Sequence, residues 1–235
     1  MFADRESHAL YQRLKMYNRK APRLFKRGEK GWSVGDTYFD KSLITLTDEE
    51  VYVDVGANQG NTLRDFITAV DGKFKYIFAF EPQSTLCDKL EAEFYPNLSP
   101  KIHISSNVVG SQVGFAKVKK RAKYPDGIDQ QYEECYEEQS THICTTLDAA
   151  IGTTWNDDRR PTLIKMDVEG MEREVIIGAT KILEMFKPRL AIAAYHRRDD
   201  IDEIPKLILG INPEYRIYLR HYEREEPHST IIYAV

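Results

Sequence analysis

The chain has 235 residues, 42% apolar and 11% aromatic, enough to bury a substantial core and to exclude global disorder. Lys and Arg number 33 against 37 Asp and Glu, so no overall field draws the chain to nucleic acid or an anionic membrane, and neither is an expected partner. No run approaches the ~18 to 20 apolar residues of a membrane span and no secretory apolar core opens the chain, so a cytoplasmic location is expected. Cys87, Cys135 and Cys144 are scattered without metal-ligand spacing and read as reduced thiols.

In chain order, residues 1–30 read as an N-terminal helical appendage. Leu10, Leu14 and Tyr17 recur at helical spacing among Arg13, Lys15, Arg19, Lys20, Arg23, Lys26 and Arg27, the pattern of a solvated helix face. Residues 31–235 follow as one domain without repeat or linker. Trp32 to Leu46 is an irregular lead-in with a short strand or helix. Val51 to Val55 is a short apolar run stopped by Gly56, the signature of a strand buried on both faces, and Leu63, Phe66, Ile67 and Val70 then take helical spacing. The unit repeats: Tyr76 to Phe80 is a strand closed by Glu81-Pro82, Ser84 to Phe94 a helix, and Lys101 to Ile104 a third strand.

Between Val108 and Thr146 the pattern loosens. An extra strand is expected near Val113 to Val118, and a mobile surface excursion in the polar stretch Lys119 to Gln139. Thr162 to Asp167 is another buried strand, followed by one helix whose apolar face runs from Met171 to Phe186 and which Pro188 ends. A strand over Leu190 to Tyr195, a helix around Ile201 to Leu209, and strands Tyr215 to Arg220 and Thr230 to Val235 complete the chain. The last two are joined by the turn-like Glu225-Glu226-Pro227-His228, which suggests an antiparallel hairpin. Alternating strands and helices argue for an α/β fold with a mainly parallel sheet covered on both sides.

In such a sheet the ligand crevice lies at the carboxyl ends of the strands. Asp54 and Gly56, Glu81, Asn107, Asp167 and Glu169, and His196 all fall just beyond successive strands. Gly56 and Gly60 let the backbone turn tightly, and the helix start after Gly60 offers N–H groups to a carboxylate. Glu81 lies 21 residues beyond Gly60, the separation at which an acid on the neighbouring strand reaches ribose hydroxyls. The segment Gly56-Ala57-Asn58-Gln59-Gly60 lacks the close glycine pair and third glycine of a dinucleotide fingerprint. Asp54 is expected to repel pyrophosphate and attract a sulfonium and an ammonium group.

Val53 to Gly60, Phe80-Glu81-Pro82, Thr146-Leu147-Asp148, Ile164-Lys165-Met166-Asp167-Val168-Glu169-Gly170-Met171-Glu172 and Tyr195-His196 together resemble the FkbM family of methyltransferases. The resemblance covers about residues 37 to 235, including Tyr218-Leu219-Arg220-His221-Tyr222 and Ile232-Tyr233-Ala234. It implies a class I methyltransferase (Rossmann-like) three-layer fold, a seven-stranded sheet with an antiparallel last strand, S-adenosylmethionine as donor, and O-methyl transfer to a sugar, glycoconjugate precursor or natural-product scaffold. The expected donor-binding set is Asp54, Gly56, Ala57, Asn58, Gly60, Asn61, Thr62, Glu81, Pro82, Asn107 and Asp167.

His196 is the first choice for general base, since an imidazole accepts a proton at neutral pH without large tuning. Asp167 is the second; it orients His196 or meets the donor's amino group instead, while Glu169 binds acceptor hydroxyls or simply caps a helix. Lys165 is expected to pair with Asp167 or Glu169. Three alternatives stand beside this reading. One is a divalent ion on Asp167, Glu169, His196 and Asp199. Another is a nicotinamide-dependent oxidoreductase. The third is a non-catalytic module presenting Tyr124, Tyr132 and Tyr136 to a partner.

Overall fold

The apolar run Val51–Val55 forms strand β1 and is buried along its whole length, as a strand covered on both faces must be. The structure, a computed structural model, describes residues 1–20, 37–124, 127–135, 142–152, 159–222 and 229–235. With β1 it contains β2 (Tyr76–Phe80), β3 (Ile102–Ser105), β4 (Val108–Val109), β5 (Gly114–Tyr124), β6 (Gly127–Cys135), β7 (His142–Thr145), β8 (Leu163–Met166), β9 (Arg189–Ala193), β10 (Ile217–His221) and β11 (Thr230–Ala234). Its helices are α1 (Arg5–Lys20), α2 (Asn61–Ala69), α3 (Ser84–Leu98), α4 (Leu147–Gly152), α5 (Glu172–Ile177), α6 (Thr180–Phe186) and α7 (Asp200–Ile211). Seven strands form the main sheet in the order β10-β11-β9-β8-β1-β2-β3. Packing divides the chain into two units, Leu46–Pro188 and Met1–Thr45 with Arg189–Val235.

In the unit Leu46–Pro188, β1 runs parallel to β2 and to β8, and β2 runs parallel to β3. The register places Asp54 beside Lys165 on adjacent strands. Leu63 and Phe66 on α2 are fully buried, and Phe66 stacks on Tyr52 at 4.4 Å between ring centroids. A second sheet, β4-β7-β5-β6, contains the part of the chain expected as an irregular excursion. There β5 and β6 pair antiparallel, with Lys117 opposite Glu133 and Arg121 opposite Asp129. The density of charged residues in this stretch hides the ladder from a search for apolar alternation. The rest of that excursion, residues 125–126 and 136–139 with Tyr136, lies outside the described residues.

The single helix expected from Met171 to Phe186 is two, α5 and α6, broken at Gly178 and Ala179. A Cβ at Gly178 would stand 2.0 Å from the Gly110 carbonyl oxygen, so the chain passes too close for any larger residue. Asp148 then accepts the N–H groups of Lys181 and Ile182, each at 3.0 Å, and so caps α6.

In the other unit, β11 pairs antiparallel with both β9 and β10. The turn expected at Glu225 to His228 lies outside the described residues. Helix α1, expected as an appendage, packs on β10. Leu10 and Leu14 are buried, the Ser7 hydroxyl accepts the Leu219 N–H at 2.9 Å, and Arg220 pairs with Asp4 at 2.6 Å. Lys15 and Tyr11 both reach Asp202 of α7 at 2.6 Å, so Lys15, read as solvated from sequence, is tied down. Arg23, Lys26 and Arg27 lie outside the described residues. Within the lead-in, residues 37–46 form turns rather than a strand or helix, with Asp40 accepting from Ser42 and from the Tyr222 hydroxyl, which also meets that of Tyr233 at 2.7 Å. Among the described residues no helix is long and apolar enough to cross a membrane.

Candidate active site

The loop after β1, the turn after β2 and the turn after β8 enclose a cleft of about 340 Å3. Its walls are Gly56 to Gln59, Asn61 and Thr62 from the first, Glu81 to Gln83 from the second, and Asp167 to Glu169 from the third, with Lys165 at the base. Each bend of the first loop is set by close protein contact. At Gly56, φ is 84° and a Cβ would lie 1.9 Å from the Asp167 carbonyl oxygen. At Gly60, φ is 80° and a Cβ would lie 2.7 Å from Leu90 Cδ2. Both positions therefore need glycine for conformation and for space. Gly60 is the N-cap of α2 and brings no side chain to cap it, which leaves the helix start to a ligand.

Asp54 does not line the cleft. It is 0% exposed, its Oδ1 accepts from Lys165 Nζ at 2.9 Å, and its Oδ2 accepts from the Thr62 hydroxyl. Lys165 also donates to the Gly56 carbonyl at 2.7 Å. The Asp54 charge is thus answered inside the protein, and it supports the loop from below instead of facing a cation in the cleft. Lys165 is paired with Asp54 in the structure, where the sequence suggested Asp167 or Glu169.

Glu81 is 5% exposed and grips two segments. Its Oε2 accepts the Asn58 N–H at 2.8 Å and its Oε1 accepts the Gln83 N–H at 2.9 Å. Burial pushes its carboxyl above the ordinary range, and the Gln83 and Asn58 N–H groups pull part of the way back. Asp167 and Glu169 are half-buried walls of the cleft, and Glu169 takes a left-handed φ of 56°. Gly60 lies beneath the loop and Asn107, half-buried beyond β3, donates its N–H to Ser105; neither is part of the wall. His196, in the other unit just beyond β9, is half-buried with its ring 4.3 Å from that of Tyr195. Asp199 is the N-cap position of α7.

Gln59, Gln83, Val168 and Lys165 line the cleft without having been predicted. The first three flank predicted residues, so extending each motif by one position would have found them. Lys165 carried a stronger signal, a cation in the middle of an otherwise apolar strand.

A model of the methyltransferase FkbM domain matches residues 54–222. The chain belongs to the FkbM methyltransferase family. A crystal structure of methyltransferase FkbM from Methylobacillus flagellatus KT is 25% identical with a TM-score of 0.77, covering 100% of this chain and 56% of that one. The FkbM-family chain described here therefore spans little more than half the length of that protein. Fibrillarin from Aeropyrum pernix, solved with natively bound S-adenosyl-L-methionine, is 12% identical with a TM-score of 0.50, covering 85% of this chain and 73% of that one, and shares the fold. No curated protein matches the chain in sequence. The strand order and these neighbours establish the class I methyltransferase fold. Several residues of the FkbM resemblance have structural duties: Asp148 caps α6, Glu172 binds the turn after β8, and Tyr222 and Tyr233 join Asp40.

Proposed function

We propose that this FkbM-family chain transfers a methyl group from S-adenosylmethionine to a hydroxyl of a sugar, glycoconjugate precursor or natural-product scaffold. The observation that carries the proposal is Glu81 held at the end of β2 beside the uncapped start of α2, both on one cleft. The residues fit the donor. Each Glu81 oxygen accepts one backbone N–H and keeps a lone pair for a ribose hydroxyl, and the α2 start suits a carboxylate. Glu81, Asp167 and Glu169 place three acids on the cleft wall, a lining that suits the amino group of the donor better than a pyrophosphate.

S-adenosylmethionine, when bound, supplies an electrophilic methyl group. Asp167 would hold the donor's amino end, Glu169 would orient acceptor hydroxyls, and His196 would take the hydroxyl proton, with S-adenosylhomocysteine as the leaving group. The acceptor class follows from the family resemblance alone.

Calorimetric titration with S-adenosylhomocysteine and, separately, with a nicotinamide dinucleotide tests the donor. Binding of the first and not the second is expected, with Glu81→Gln weakening it about tenfold, a loss of ~1.4 kcal/mol. Preference for the dinucleotide would make the chain an oxidoreductase, and binding of neither would favour the non-catalytic module. A screen of hydroxylated acceptors with labelled donor then identifies the second substrate. His196→Gln is expected to lower turnover while sparing donor affinity.

A further inference from the structure

Three consecutive residues, Asp167, Val168 and Glu169, line one cleft. Extended backbone sends successive side chains to opposite faces, so a local bend is needed. The bend is Glu169 at φ 56° followed by Gly170 at φ 102°. Glycine enters this region freely. Glutamate does not, because its Cβ crowds the following carbonyl and it lacks the short polar side chain with which Asn and Asp offset that cost. Such conformations persist where the surroundings over-determine them.

One buried side chain flanks this bend. Glu172, 1% exposed at the start of α5, accepts the Val168 N–H at 3.0 Å and the Gly170 N–H at 3.4 Å through the same Oε1, one bond on each side of Glu169. The Met171 N–H closes the turn on the Val168 carbonyl at 3.2 Å. Both bonds end on one buried carboxylate oxygen, so the amides on either side of Glu169 share a single acceptor.

We propose that Glu172 is the positioning residue of the cleft: it locks Glu169 in the left-handed conformation and so sets both acidic walls, Asp167 and Glu169, at once. Its influence extends to the donor side, because the Asp167 carbonyl oxygen fills the space beside Gly56. The inference rests on the proposed function for the meaning of the cleft, and its test separates the two.

Glu172→Ala and Glu172→Gln are compared with wild type by hydrogen exchange at the Val168 and Gly170 amides and by calorimetry with S-adenosylhomocysteine. The alanine variant is expected to exchange at both amides at least tenfold faster and to bind the ligand about tenfold more weakly. The glutamine variant keeps an oxygen in place without its charge, and is expected to exchange about threefold faster and to bind within threefold of wild type. Exchange at the wild-type rate in the alanine variant overturns the proposal. So does a lowered melting midpoint with unchanged ligand affinity, the pattern of a merely structural acid. If the alanine variant does not fold, the glutamine variant decides, and wild-type protection at both amides overturns the proposal. If wild type fails to bind the ligand, the methyl-transfer reading falls, while the exchange rates still judge Glu172.

Discussion

Replacing Lys165 with methionine removes one partner of an ion pair that lies almost wholly out of water. Asp54 is 0% exposed and Lys165 2%, with Nζ and Oδ1 2.9 Å apart. The attraction between them offsets the desolvation of both, and methionine fills the aliphatic volume without answering the carboxylate. Asp54 would keep the Thr62 hydroxyl and lose its counter-charge. Breaking a buried pair in this way costs about 3 to 5 kcal/mol. For a chain of this size each kcal/mol moves the melting midpoint by roughly 2 to 4 °C, so the variant should melt roughly 6 to 20 °C lower. Urea titration gives the same loss as a lower denaturation midpoint with an unchanged slope. The double variant Asp54→Leu with Lys165→Met leaves no stranded charge and should recover at least ~2 kcal/mol relative to the sum of the single losses. A loss under ~1 kcal/mol for Lys165→Met, or additive single and double losses, would refute the claim that the pair is energetically coupled.

Gly56→Ala forces a Cβ to within 1.9 Å of the Asp167 carbonyl oxygen at a φ of 84°, and backbone cannot step aside as a side chain can. Calorimetry should find S-adenosylhomocysteine binding abolished, and a variant that binds as wild type would show that the loop reshapes freely. Asp4 gives the pH prediction. Burial raises its carboxyl, but bonds from Arg220 and Ser7 overcome this and hold it at about 2, below the ordinary 3.8. A depressed carboxylate contributes stability that is fully present above the unfolded value and lost as pH falls between the two, here from about 4 toward 2. Asp4→Asn should therefore cost ~1 to 2 kcal/mol at neutral pH, discounted for partial exposure, with the cost shrinking through pH 4 to 2 and vanishing only below both values; melting midpoints across that range check it.

Elements whose sequence pattern is enforced by burial were legible residue by residue: β1, buried throughout, and β2, buried from Ile77 to Phe80, begin and end where their apolar runs do. The break between α5 and α6 was not, because helical apolar spacing continues through it and the contacts made there, the Gly110 carbonyl against Gly178 and the Asp148 carboxylate on the Lys181 and Ile182 amides, come from far away in the chain. The same distance hid the partner of Lys165. Asp54 stands 111 residues earlier, and only the parallel register of β1 and β8 makes them neighbours. The candidate site was legible as positions rather than as roles. Glu81 was placed correctly at the cleft, yet its grip on the Asn58 and Gln83 amides belongs to the folded chain, since neither bond follows from spacing. Asp54, expected at the cleft, is buried beneath the loop against Lys165.

The glycine loop carries one more consequence. Gly56 is moulded by the Asp167 carbonyl, Gly60 by Leu90 and Phe94, and the Gly56 carbonyl is tethered by Lys165. The curve of the loop is thus preorganised by the scaffold, and little ordering entropy is left for a ligand to overcome. The fold itself therefore requires these two glycines, whatever the cleft binds. The rim is exposed at Asn58, Gln59 and Asn61, and even there the scaffold has a hold: Arg64 donates to the Gln59 carbonyl at 2.9 Å and to the Asn61 side chain at 3.0 Å, so the outer edge of the loop is pinned as well as its base.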